Sequence, residues 1–124
     1  MDPPSPSPAR CFDLGRATAR VFADSPYRVA LVASASWSHG FLASANRYLY
    51  PDVATDRMLF DALVKGHYET WRTYPLSAIE SSGQQEMLNW FCLLGAMVEL
   101  DRKLEWAELV ETYIFNSDKA FVVF

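Results

Sequence analysis

Apolar residues along the first third of the chain predict a helix followed by a buried strand. Ser7 and Pro8 are typical of a helix start, and the apolar positions after them predict a helix ending near Ala23. Residues 28–34 form a short apolar run rich in β-branched side chains and bounded by turn signals. This pattern predicts a strand buried on both faces of a sheet. The order of helix, turn and strand favours the α/β class, with a layered sheet and flanking helices.

The rest of the chain is expected to be mainly helical until the last twenty residues. Ser82 and Gln85 have the spacing of a capping box ahead of a segment that is apolar on nearly every face, so that helix should be central. The elements predicted here are helices over residues 41–50, 56–71 and 87–100, and strands over residues 106–115 and 120–124 with a turn at 116–119.

A sheet with one central and two terminal strands has open edges. We therefore expect residues 9–124 to be the C-terminal portion of a larger single domain, with residues 1–8 as a Pro/Ser-rich lead-in. The open edges also favour association, either as a homo-oligomer or with a complementing N-terminal chain.

Composition narrows the class of protein. The 124 residues are 51% hydrophobic and carry a net charge of −4, which fits one soluble domain and makes nucleic acid or a membrane an unsuitable partner. The N-terminus lacks the features of a signal peptide, so we expect a cytoplasmic protein. Cys11 and Cys92 fit no zinc or disulfide-framework pattern, and Cys92 is expected to be an inert thiol inside a helix.

His39 is the first candidate for chemistry. It follows the carboxyl end of the predicted buried strand, where ligand sites gather in open α/β sheets, and its neighbours Ser38 and Gly40 are small. Three interpretations remain open from the residues alone: a loop histidine bonded to backbone, a general base, or a metal ligand.

Glu86 is the second candidate. A carboxylate at a helix N-terminus is favoured by the helix dipole, but in a buried position it would need a cation or several donors, so a ligand role is also open. His67 is expected to lie on the surface, and a triad of His39, His67 and Glu86 is a weak pattern for non-heme iron. The chain has no nucleophile elbow, Walker loop or dinucleotide fingerprint.

One run of residues resembles a known family. The run is Arg28-Val-Ala-Leu-Val-Ala-Ser-Ala-Ser-Trp-Ser-His39, followed downstream by Glu86 and Asn89-Trp90. It is similar to the LigB-type superfamily of class III extradiol ring-cleaving dioxygenases, which includes the β subunit of protocatechuate 4,5-dioxygenase. Residues 4–16 resemble the segment leading into that strand. The resemblance runs from about Pro3 to the terminal strands and covers the C-terminal part of the family's domain.

The resemblance implies an oxidoreductase that opens the ring of a catecholic substrate with O2 in aromatic compound catabolism, using Fe(II) as cofactor. By position, Glu86 matches the family's carboxylate ligand and His39 its acid/base histidine. The family's two iron-binding histidines lie upstream of the matched part, and His67 matches neither. The resemblance therefore also implies an enzyme fragment or split subunit with an incomplete ligand set. The alternative is a non-catalytic metal- or partner-binding module, or an inactive remnant, of the same superfamily.

Overall fold

A computed structural model describes residues 4–112 and 114–124 as a mixed α/β domain, which confirms the predicted fold class. Strand β1 pairs antiparallel with β2, with Trp106 opposite Val123 and Val110 opposite Lys119. Both predicted terminal strands are therefore present, although the first ends five residues earlier than predicted. The elements of the described residues are α1 (Pro8–Ala23), α2 (Val53–Val64), α3 (Tyr68–Arg72), α4 (Leu76–Ser81), α5 (Leu88–Glu99), β1 (Trp106–Val110) and β2 (Lys119–Val123).

Helix α1 starts and ends where the sequence predicts. The Ser7 side chain accepts a hydrogen bond from the backbone N–H of Arg10, and Pro8 occupies the first turn, where its missing N–H costs nothing. Residues 4–6 ahead of it form no helix or strand, and residues 1–3 of the predicted lead-in lie outside the described residues.

Helices α1 and α5 cross at unusually short range because each carries a glycine at the contact. A Cβ added to Gly15 would lie 1.8 Å from the carbonyl oxygen of Cys92, and one added to Gly95 would lie 2.0 Å from that of Phe12. The two backbones are thus in direct contact, and the two helices run in the same direction, since Arg16 and Arg20 towards the end of α1 reach Glu99 at the end of α5. The predicted central position of α5 is confirmed, since most of its residues are buried.

An aromatic cluster fills the core beside this crossing. The Trp37 side chain is fully buried and makes edge-on contacts with three rings, at centroid distances of 6.1 Å to Phe60, 5.7 Å to Trp71 and 5.4 Å to Trp90. Such arrangements suit the ring quadrupoles and add to the free energy gained by burial. The contacts join the loop at residue 37 to α2, α3 and α5.

The prediction of a buried strand over residues 28–34 is wrong. Within the described residues this segment has no regular secondary structure and its backbone forms no strand hydrogen bonds, and the exposed fractions of Val29, Leu31 and Val32 are 52%, 42% and 81%. Its β-branched side chains favour extended backbone, whereas a place in a sheet also requires a neighbouring strand. Only the small side chains of Ala33 and Ala35 pack against the core.

Three helical predictions also need correction. The helix predicted over residues 41–50 is replaced by two short 3-10 turns, Gly40–Leu42 and Ser44–Asn46. The helix predicted over residues 56–71 starts earlier, at Val53 after the N-cap Asp52, and is interrupted at Gly66, which has φ of +70° and lets the chain turn into α3.

The predicted capping box is absent. Ser82 instead follows α4, a helix that the apolar pattern did not predict, and its hydroxyl donates to the Asp52 carboxylate. A 3-10 turn, Gln85–Met87, leads into α5. Within the described residues, no helix has the length and apolar character needed to cross a membrane.

Replacing Gly15 by Ala should separate α1 from α5. Because the new methyl group would overlap the backbone of Cys92, we expect a loss of about 3 kcal/mol or more in the free energy of unfolding. Leu14→Ala, one residue earlier on the exposed side of α1, is the control and should cost about 0.5 kcal/mol. Urea denaturation of the two variants measures both values, and equal losses would contradict the close crossing.

Candidate functional site

The candidate site is built around His39, which lies between the buried Trp37 and a 3-10 turn. The His39 backbone N–H donates to the carbonyl of Gly83 at 3.0 Å, and its ring nitrogen Nδ1 lies 3.4 Å from the same oxygen. His39 also forms an isolated antiparallel bridge with Ser117, just ahead of β2. The residue is 9% exposed, so both its backbone and its ring are held in one place.

The structure brings His39 and Glu86 together, although 46 residues separate them. His39 Nε2 lies 3.9 Å from Glu86 Oε2. The His39 side chain is 11% exposed and that of Glu86 53% exposed. The expectation of a buried carboxylate is therefore wrong: Glu86 belongs to the 3-10 turn before α5, and the apolar helix that suggested burial starts only at Leu88.

The contact with Gly83 defines which imidazole nitrogen is available for chemistry. A carbonyl oxygen only accepts hydrogen bonds, so the 3.4 Å contact with Gly83 favours the tautomer that carries its proton on Nδ1. In the neutral ring, the lone pair is then on Nε2, which is the nitrogen directed at Glu86. His39 can therefore take up a proton on its Glu86 side without breaking the contact that orients it.

Glycine is required at position 83 for this arrangement. Its φ is +68°, and an added Cβ would lie 2.6 Å from the His39 carbonyl oxygen and 2.9 Å from the backbone nitrogen of Ala43. A side chain here would be strained in its backbone and would also push the His39 loop away.

The buried carboxyl group of Asp56 holds the His39 loop through hydrogen bonds to Ser38. Asp56 is fully buried and accepts hydrogen bonds from the backbone N–H of Ser38 at 3.3 Å and 3.2 Å, from the Ser38 hydroxyl, and from Gln84 Nε2 at 2.6 Å. Burial raises the pKa of Asp56 to about 7, although the bonds from Ser38 and Gln84 act in the opposite direction. Asp56 thus joins the two segments that carry His39 and Glu86.

Asp118 is a second buried carboxyl group in contact with Asp56. Its Oδ1 accepts from the backbone N–H of Thr112 at 3.1 Å, and its backbone carbonyl accepts from the N–H of Trp37 at 3.0 Å. Burial raises the pKa of Asp118 as well. The negative charge of Asp118 adds to burial in raising the pKa of Asp56, since two neighbouring buried carboxylates repel each other.

Sequence reasoning missed this buried network. Asp56 was placed at the start of a helix and Asp118 in a turn, which are ordinary positions for aspartate. Neither residue belongs to a motif, and only the folded chain brings them and Gln84 together.

The described residues do not form a complete metal centre. His39 and Glu86 supply one imidazole and one carboxylate, which are suitable donors for Fe(II). No group of three or more His, Cys, Asp or Glu side chains that could hold a metal ion occurs in residues 4–112 and 114–124. His67 is exposed ahead of α3, which confirms the surface interpretation. These residues alone therefore do not fit a three-ligand iron site.

Comparison with known proteins gives one match. A family model described as "Catalytic LigB subunit of aromatic ring-opening dioxygenase" matches residues 2–122, nearly the whole chain. No curated protein and no solved structure matches the chain.

The tautomer of His39 is directly measurable because the chain has two histidines, and the other is the exposed His67. We expect the neutral His39 ring to carry its proton on Nδ1, since the Gly83 carbonyl requires a donor there. Long-range 1H–15N correlation spectra distinguish the two tautomers. His67, whose side chain caps no helix end, serves as the internal reference. A His39 ring protonated on Nε2 would contradict the assigned contact.

Stability should depend on the protonation of Asp56. Its pKa is higher in the folded chain than the ordinary 3.8, so the folded state keeps a proton that the unfolded chain releases. Its contribution is fully present below pH 3.8 and is lost as the pH rises to about 7, with a slope of up to about 1.4 kcal/mol per pH unit.

Asp56→Asn, which resembles the protonated acid, should remove this part of the pH dependence. Asp61→Asn, at an exposed position on α2, is the control and should keep the wild-type slope. Denaturant unfolding at a series of pH values gives the free energies. If all three proteins had the same slope, Asp56 would not be the titrating group.

Proposed function

The chain belongs to the family of catalytic LigB subunits of aromatic ring-opening dioxygenases, and from this premise we propose that it forms part of an Fe(II)-dependent extradiol dioxygenase. Its substrates would be a catecholic ring and O2. The observation that carries the proposal is the 3.9 Å approach of His39 Nε2 to Glu86 Oε2, because the family resemblance assigns these two residues neighbouring roles in one site.

The proposed role of His39 is that of the acid/base residue. A catechol must lose protons from its hydroxyl groups to bind a metal as a chelate. The Nε2 lone pair of His39 is free to accept such a proton, since Nδ1 is held by the Gly83 carbonyl. The accepted proton would lie on the side of the ring that faces Glu86, whose Oε2 is 3.9 Å from Nε2.

The proposed role of Glu86 is that of the carboxylate ligand to Fe(II). Its half-exposed side chain precedes α5 and is accessible to an incoming ion. One carboxylate and one histidine reserved for proton transfer do not hold iron, and the remaining ligands would come from outside the described residues.

The proposed partner that supplies these ligands is a complementing N-terminal chain or a second copy of this chain. The exposed segment at residues 28–32 supports assembly, since it has apolar side chains and free backbone groups that another strand could pair with. A groove of about 860 Å³ next to it is lined by apolar side chains that include Phe22, Leu31 and Phe124. The proposed location of the assembly is the cytoplasm.

The activity test uses the protein purified from its own host with whatever polypeptide accompanies it. The preparation is loaded anaerobically with Fe(II), mixed with 3,4-dihydroxybenzoate, and exposed to air. We expect a yellow ring-opened product. His39→Asn should lower kcat by about 10²- to 10⁴-fold, because it removes the proton acceptor.

Glu86→Gln should lower the iron content of the same preparation, measured by metal analysis. His67→Asn and Glu108→Gln, at exposed positions, are the matched controls and should change neither quantity. Unchanged ring opening in the His39 and Glu86 variants would falsify the assignment. Iron binding without ring opening would favour the non-catalytic module.

A further inference from the structure

The two cysteines of the chain meet where α1 and α5 cross most closely. Gly15 lies one helical turn after Cys11, and a Cβ at Gly15 would lie 3.0 Å from the Cα of Cys92. Cys11 and Gly15 are both buried positions on α1, one turn apart, so Cys11 lies on the face of α1 that packs against Cys92 and its neighbours on α5. Both residues belong to the same packed region of the core, and both are free thiols.

The two thiols differ in exposure and in acidity. Cys11 is 5% exposed, whereas Cys92 is only partly buried. The hydrogen bond between the thiols lowers the pKa of Cys92 to about 7, and the same bond together with burial raises the pKa of Cys11. The direction of these shifts makes Cys92 the more acidic thiol of the two. The expectation of an inert thiol at Cys92 is therefore not supported by its surroundings.

We propose that Cys11 and Cys92 form a reversible dithiol–disulfide pair that links α1 to α5. The closeness of the two helices supports this pairing, because a disulfide requires Cα atoms within about 7 Å. The pairing is independent of the proposed ring-opening function, since neither cysteine is part of the His39 site.

The oxidation is balanced with hydrogen peroxide as the oxidant. The Cys92 thiolate attacks one peroxide oxygen, the O–O bond breaks, and the departing hydroxide takes up a proton to give water. Cys92 is then a sulfenic acid. The sulfur of Cys11 attacks it, the S–O bond breaks, and the Cys11 proton leaves with the hydroxyl group as a second water. Two thiols lose two electrons in total, and a small dithiol reverses the reaction.

The position of the proposed Cys11–Cys92 disulfide determines its effect on stability. The far end of the α1–α5 pair is already joined by Arg16 and Arg20, whose guanidinium groups lie 2.8 Å and 3.0 Å from Glu99. A disulfide would fasten the other end and close a loop that contains both His39 and Glu86. Closing so long a loop restricts the unfolded chain more than the folded one, so oxidation should raise the thermal midpoint by roughly 5 °C or more.

The test is oxidation of the full chain with a small excess of hydrogen peroxide, followed by alkylation and mass spectrometry. We expect a loss of about 2 Da, no alkylation of either cysteine, one cross-linked peptide containing Cys11 and Cys92, and full reversal by dithiothreitol. Cysteines that stay free, or a bond formed only between two chains, would overturn the proposal.

Two single variants test the division of roles between the thiols. Cys11→Ser should leave Cys92 as a sulfenic acid that dimedone traps, since the resolving thiol is missing. Cys92→Ser should leave Cys11 unreacted, because that thiol is buried and protonated. Circular dichroism checks that both variants fold. The opposite pattern of trapping would contradict the proposed order of attack, and the wild-type cross-link remains decisive if either variant fails to fold.

Discussion

The burial of Trp37 is the interaction from which the geometry of the candidate site follows. Its ring occupies the core among side chains of α2, α3 and α5, and the loop that carries it is drawn inward as a consequence. Backbone N–H groups taken into the core must find acceptors or cost free energy. Three successive donors do so: Trp37 bonds to the Asp118 carbonyl, Ser38 to the Asp56 carboxyl, and His39 to the Gly83 carbonyl.

These three bonds explain why distant segments of the chain meet at His39. Each acceptor belongs to a different part of the fold: the end of the β1–β2 connection, the first turn of α2, and the turn between α4 and α5. The last turn also carries Glu86. The position of the imidazole relative to the carboxylate is therefore a consequence of core packing. A substitution at Asp56 or Gly83 would change that position through the backbone of the His39 loop.

The sequence predicted those parts of the fold that depend on local signals. Helix α1 has a strong N-cap, and α5 is apolar on almost all sides, so both were located correctly. The break at Gly66 and the 3-10 turns after His39 depend on competing tertiary contacts and were missed. Residues 28–34 show most clearly what local signals leave open. Their composition favours extended backbone, but it does not tell whether a neighbouring strand is present to pair with them.

The candidate site shows the same division between local and tertiary information. His39 and Glu86 were found from the sequence because each stands at a junction where ligands commonly bind, whereas Asp56, Gln84 and Asp118 have no local signature. Two features of the described residues are incomplete. His39 and Glu86 are fewer groups than an iron site needs, and the apolar segment at residues 28–34 has no strand partner. Both would be satisfied by one event, the pairing of another polypeptide with residues 28–34, because that segment leads directly into Trp37 and His39. The exposed apolar side chains and free backbone groups of that segment are the features of the described residues that suit such pairing.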